Sequence, residues 1–181
     1  MAKNSVAEPG DIRIVKRRKY TLLGCVFYGD PFHSKAGWST ENEIGLLWQR
    51  FMGLYEKNKT KITRKAVNRH LGYEVHIQPG DYRATRKFYV FVGVEVETLV
   101  GMPFEMWGKT LPSSSYAVFT FRGKEIFRGG KYIWETWLPG SEEYEEAYPY
   151  FMEVYDKRRF NGLGKEESEI DYYVPIRRKR S

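Results

Sequence analysis

One cysteine, Cys25, in 181 residues excludes an intramolecular disulfide and any cysteine-based zinc cluster. The three histidines, His33, His70 and His76, fit none of the common metal-site spacings. Neither a metal nor a cofactor is expected. No apolar run approaches the roughly 20 residues that cross a bilayer, and Met1 to Gly10 lacks the apolar stretch of a secretory signal. The expectation is a cytoplasmic protein with no membrane partner. A serine elbow, catalytic-cysteine spacing, helix-turn-helix signals, RNP-type aromatic motifs and finger spacings are also missing.

Acidic balance is lacking too: the net charge is +7 with 30 Lys and Arg against 23 Asp and Glu. A polyanionic partner is one reading of such a surplus. Its location argues otherwise. The runs Lys16-Arg17-Arg18-Lys19 and Arg177-Arg178-Lys179-Arg180 carry four charges each, which more than accounts for the surplus and leaves a nearly neutral body. DNA is therefore not the expected partner. A third basic segment, Lys57 to Arg69, follows the first helix, and Glu142, Glu143, Glu145 and Glu146 form an acidic counterpart. Solvated faces are the plain explanation of both.

What is present is apolar and aromatic, 41% and 17% of the chain, enough for one sizeable core and a single domain over residues 1–181. Ile12 to Tyr28 reads as one or two strands, followed by a loop marked by Gly29, Asp30, Pro31, Gly37 and Ser39. A helix is expected from Thr40, with Glu43 three residues on as a capping box and Ile44, Leu47, Trp48, Phe51, Leu54 and Tyr55 as its buried stripe. Strands follow at Tyr73–Ile77 and Phe88–Val96, around a Pro79-Gly80-Asp81 turn. On the second strand Val90, Val92, Val94 and Val96 point one way, and Tyr89, Phe91, Gly93 and Glu95 the other.

The later residues repeat the order: a strand over Tyr116–Arg122, a short helix over Lys131–Leu138 stopped by Pro139, and strands over Tyr150–Asp156 and Ser168–Ile176. Both halves, roughly 11–97 and 111–177, read strand, helix, strand, strand. The fold class is α+β: an antiparallel sheet from two pseudo-twofold βαββ-like modules, two helices on one face and a ligand groove between them.

Particular phrases then resemble a family. Phe91-Val92-Gly93-Val94-Glu95-Val96, Gly101-Met102-Pro103 and Leu111 to Phe119 are similar to the GyrI-like effector-binding domain. So are Tyr132 to Pro139, Phe151 to Asp156 and Glu169 to Ile176, and the ordered set covers roughly Asp11 to Arg177. The resemblance implies a pseudo-twofold pair of modules holding a ligand between two helices. The family serves as the sensor half of AraC-type and MerR-type regulators, as gyrase-inhibitory proteins and as free-standing small proteins. Several members bind flat, lipophilic, often cationic compounds, and some free-standing ones hydrolyse cyclopropane-bearing DNA alkylators. A chain of this length suits the free-standing class.

Glu153 is the carboxylate singled out. It shares a strand face with Phe151 and Tyr155, where partial burial disfavours the charged form and makes a cation or a proton its natural partner. In family members that take cationic drugs a glutamate at the matching position faces the ligand; pairing with a neighbouring lysine or arginine is the alternative. Trp48 on the first helix and Trp134 and Trp137 on the second, three apart and so on one helical face, are candidates to clamp a flat ring at ~0.5–2 kcal/mol per contact. Tyr73, Phe119 and Tyr172 are candidates from the strands. Glu95 is the candidate second catalytic carboxylate, with water as its expected neighbour; Glu135 falls off the tryptophan face and is expected to be exposed. Phe32 and Trp38, in the Tyr28–Thr40 loop, either form a lid or pack onto the surface.

Three functions are open on this reading. The chain binds an amphipathic, planar small molecule, as in multidrug binding or detoxification; it hydrolyses such a compound by glutamate-assisted attack of water; or it is a protein-binding module with gyrase or another protein as partner.

Overall fold

The computed structural model describes residues 8–17, 19–32 and 42–180, with only the backbone of Arg17. His33, Trp38, Thr40 and Arg18 lie outside the described residues, so the Thr40 cap and the Trp38 lid do as well. In chain order the elements are β1 (Asp11–Arg17), β2 (Tyr20–Gly29), α1 (Glu43–Lys57), α2 (Lys59–Lys65), β3 (Leu71–Ile77), α3 (Tyr82–Thr85), β4 (Phe88–Glu95), β5 (Trp107–Leu111) and β6 (Ser114–Arg122). A 3-10 segment, Gly123–Arg128, leads into α4 (Gly129–Tyr132), a π-helical turn (Ile133–Trp137), α5 (Leu138–Gly140), β7 (Tyr144–Glu146), β8 (Tyr150–Asp156) and β9 (Glu169–Arg178). The class is α+β, and every strand pairing described below is antiparallel.

Two compact units result: a first, Lys19–Pro112, and a second made of Ser113 onward together with the chain up to Arg18. The first carries its strands in the order β3-β4-β2-β5, the second β1-β6-β9-β8 with β7 also on β9. Each therefore contains a βαββ repeat with the same internal pairing, in which the third strand lies between the second and the first. The strand that precedes each repeat in sequence pairs with the first strand of the other repeat. Asp11–Arg17 runs along Ser114–Thr120, and Tyr20–Gly24 runs along Trp107–Leu111.

In the first unit the sequence makes α1 by apolar residues at helical spacing. Ile44, Leu47 and Phe51 are buried against Leu23, Cys25, Val90, Val92 and Val94, with Trp48, Leu54 and Tyr55 packed at the margin. The helix begins at Glu43 rather than Thr40, because Asn42 Oδ1 accepts the Gly45 N–H at 2.8 Å and satisfies an orphan donor of the first turn. The basic segment after it contains a helix, α2, that the composition hides, since Ile62 is its one buried residue. The two faces of β4 are both covered, so that from Val90 to Glu95 every residue is buried and Tyr89 alone of the interior is exposed.

Two glycines face each other in this sheet, Gly24 against Gly93. A Cβ on Gly93 would lie 2.3 Å from the Leu23 carbonyl oxygen, and one on Gly24 1.8 Å from that of Val92. The backbones approach there too closely for any side chain.

In the second unit Phe119, Phe121, Ile133, Ile170, Tyr172, Val174 and Ile176 form the core beneath the helical segment. Pro139 does not stop that segment, which continues to Gly140. The Leu138 N–H has already bonded back five residues to the Ile133 carbonyl, and a proline at the start of the last turn gives up a donor that this turn does not use. The acidic and basic segments meet here: β7 pairs with the end of β9, and Arg177 Nε donates to Glu145 Oε1 at 2.7 Å.

Candidate functional site

β8 sets Glu153 directly opposite Tyr172 of β9, and β6 sets Phe119 opposite Tyr172 on its other side. Directly paired residues point to the same side of a sheet, so the three share one face, the one that the helical segment covers. Glu153 is 3% exposed and accepts a 2.7 Å hydrogen bond from the Tyr155 hydroxyl. Phe151, on the same face, stacks parallel to Tyr172 with centroids 6.2 Å apart and takes the edge of Trp134 at 4.7 Å. Tyr172 is itself pinned, its hydroxyl donating to the Ile126 carbonyl at 3.0 Å. The carboxylate thus shares its sheet face with Phe119, Phe151, Tyr155 and Tyr172, of which Tyr155 bonds it.

The two tryptophans of the helical segment reach different neighbours. Trp134 lies against Phe151, and its indole lowers the pKa of the Glu146 carboxylate, which desolvation nonetheless raises on balance. Trp137 stands edge-on to Phe119 at 4.9 Å and parallel to Tyr144 at 6.5 Å. The reason is the π turn. Its wider winding carries more residues per turn than an α-helix, so two residues three apart are spread around the axis instead of aligned, and the single shared face expected for them is not formed. Glu135 is exposed and faces Lys131 at 3.8 Å, as expected from its position.

The first unit holds a second set. Trp48 Nε1 donates to Glu74 Oε2 at 2.6 Å, and Glu74 Oε1 lies 2.7 Å from His76 Nε2. Glu74 pairs with Val92 and His76 with Val90, which puts both on the face covered by α1. Tyr73 and Glu95 are on the opposite face of the same sheet, where the Tyr73 hydroxyl donates to Glu95 Oε2 at 3.1 Å and the Tyr20 ring lies 5.6 Å from that of Tyr73. Water is not the neighbour of Glu95: the residue is 7% exposed and its carboxylate is met by a phenol. So among the sequence candidates the structure brings together Glu153, Tyr172, Phe119, Trp134 and Trp137 on one face. It separates Trp48 from Tyr73 and Glu95 by the thickness of a sheet.

Glu74 was not anticipated from the sequence, and His76 only as a histidine without metal spacing. The available signal was alternation: in Tyr73-Glu74-Val75-His76-Ile77 the two ionisable residues fall on one face of a strand that is otherwise apolar. Both are buried, a placement that requires partners. Phe32 packs on Phe88 with centroids 5.9 Å apart.

The profile of the integron-associated effector-binding proteins, Cass2, matches residues 13–176. The chain belongs to that family. No curated protein sequence matches it. Among solved structures it is similar to SAV2435 bound to tetraphenylphosphonium, at 17% identity and a TM-score of 0.64 over 92% of this chain and 94% of that one. It is also similar to the integron cassette protein of Vibrio cholerae, at 15% identity and a TM-score of 0.57 over 94% and 98%. A hydrolase from Listeria innocua aligns at 9% identity and a TM-score of 0.51 over 94% of each chain. At such identities the likeness is one of fold, and that fold is the GyrI-like one expected from the sequence.

Proposed function

We propose that this member of the effector-binding family takes up lipophilic cations with an aromatic body, and that Glu153 supplies the counter-charge. The carrying observation is the burial of Glu153 on the same face as Phe151, Tyr155 and Tyr172. Burial strengthens the attraction between a carboxylate and a cation because little water screens it. Rings at the margin add stacking or cation–π attraction of ~0.5–2 kcal/mol each. Tetraphenylphosphonium, the ligand of one structural relative, is the natural probe. Titration followed by tryptophan fluorescence should give saturable binding that Glu153→Gln weakens by about tenfold or more, the loss of one buried charge pair. Equal affinity of the two proteins would defeat the assignment.

Hydrolysis is the second reading, favoured by the Tyr155 hydrogen bond that orients the Glu153 carboxylate. In a cyclopropane conjugated to a carbonyl, the oxygen of water would bond to the activated ring carbon as Glu153 takes its proton. The ring C–C bond would break, with its electron pair passing to the carbonyl as an enolate, and reprotonation would give a product heavier by one water. General base catalysis of this kind contributes typically ~10²–10⁴-fold. Mass spectrometry of an alkylator incubated with the protein and with Glu153→Gln distinguishes turnover from binding. A gyrase-directed role finds less support: Arg177, in one of the two basic runs that would serve it, is engaged by Glu145 within the fold.

A further inference from the structure

The segment joining β4 to β5 turns Val96, Leu99 and Met106 toward the core and its other large apolar side chains outward. Val100 is 78% exposed and Phe104 wholly so, with Met102 beside them, and Trp107, the first residue of β5, is 61% exposed. A phenylalanine at a loop tip with no cover gains nothing from folding, and large exposed apolar groups clustered together mark an interaction surface.

Three lysines spaced four apart ring this loop. Lys57 Nζ lies 3.4 Å from Glu105, whose carboxyl is held below its usual range by a backbone hydrogen bond first, then by Lys57 and least by Lys61, and Lys65 Nζ bonds the Val100 carbonyl oxygen. They belong to the run from Lys57 to Arg69, which has six basic residues and no acidic one. From the geometry we infer that this face docks on an anionic lipid surface, with Phe104 and Val100 dipping into the leaflet, Trp107 at the headgroup level, Lys61 on the phosphates, and Lys57 and Lys65 exchanging their contacts within the fold for the same phosphates. Trp prefers that level because its ring is apolar and its N–H polar, and basic residues beside an apolar wedge supply the second of the two signals that stable peripheral anchoring needs. A second copy of the chain is a poorer occupant, since it would bring the same positive charge to the contact. The absence of a spanning segment bears on crossing a bilayer, whereas this loop needs one leaflet only.

The test is co-sedimentation with mixed phosphatidylglycerol–phosphatidylcholine vesicles and with pure phosphatidylcholine vesicles. The protein should partition to the mixed vesicles alone, Phe104→Ser should reduce partitioning by at least about tenfold, and Lys61→Gln by roughly fivefold. Lipids brominated near the headgroup should quench wild-type fluorescence more than that of Trp107→Phe. Phe104 is wholly exposed, so an unchanged melting temperature is the control for its variant. Adsorption that Phe104→Ser leaves intact would reflect net charge alone and overturn the inference. So would a concentration-dependent dimer abolished by Phe104→Ser without any vesicle binding.

Discussion

Tyr155 donates its hydroxyl to Glu153 Oε2 at 2.7 Å, two residues along one strand face. The two side chains answer to different measurements. Tyr155→Phe keeps the ring and removes one donor to a buried carboxylate, so urea unfolding should show a loss of about 1.5–3 kcal/mol. Glu153→Gln keeps an acceptor for the phenol and removes the charge, so stability should change little while affinity for tetraphenylphosphonium falls.

Trp134→Phe should preserve the contact with Phe151 but remove the lowering influence of the indole on Glu146. The Glu146 pKa, raised by desolvation and held back by the indole, should then rise further. A carboxyl whose folded pKa is raised binds more protons in the folded state, so its contribution to stability falls as pH rises through the interval between the unfolded and folded values. The variant widens this interval upward, which a carbon-detected NMR titration of Glu146 would show directly.

Asp156 has the opposite behaviour. The Arg158 guanidinium, bonded to both carboxylate oxygens, holds its pKa at about 2. The stabilisation is present above the unfolded value near 3.9 and is lost as pH falls toward 2. Arg158 is largely exposed, so solvent screens the pair and limits the contribution. Unfolding midpoints of the wild type and Asp156→Asn should differ at pH 6 and converge near pH 2, both pH values set by that pKa interval.

Gly93→Ala should destabilise the first unit by about 1–3 kcal/mol or more, the range for overpacking. The added carbon meets the Leu23 carbonyl oxygen at 2.3 Å, and backbone yields less readily than a side chain. A lowered melting temperature checks this; an unchanged one would mean that the strands separate at no cost.

How far the sequence was legible follows from what each element buries. The Ile44-Leu47-Phe51 stripe and the alternating valines of β4 announce themselves because burial imposes their period. The order of the strands within each repeat did not follow from these patterns, because a period says which face is buried and not which strand lies alongside. Nor did α2 and β5 show in them, since each buries a single side chain, Ile62 and Leu111, and a pattern of one has no period. Glu153 was found through its aromatic neighbours on alternate residues. Glu74 escaped because its partner, Trp48, sits 26 positions away on another element, a distance that periodicity does not bridge. The spread of Trp134 and Trp137 depends on a bond from Leu138 back to Ile133, which residue types alone do not encode.

The pairing of β1 with β6 also sets a timetable for synthesis. β1 emerges first and its partner follows about a hundred residues later, an interval on the order of ten seconds at ordinary elongation rates. Through that interval the strand carries Ile12 and Ile14 on an unpaired edge, open to neighbouring nascent chains. Arg13, Lys16 and Arg17 lie in the same strand, and positive charges on an exposed edge oppose pairing with another copy of themselves. Arg13, Lys16 and Arg17 thus set like charge against like along a strand that must wait for its place.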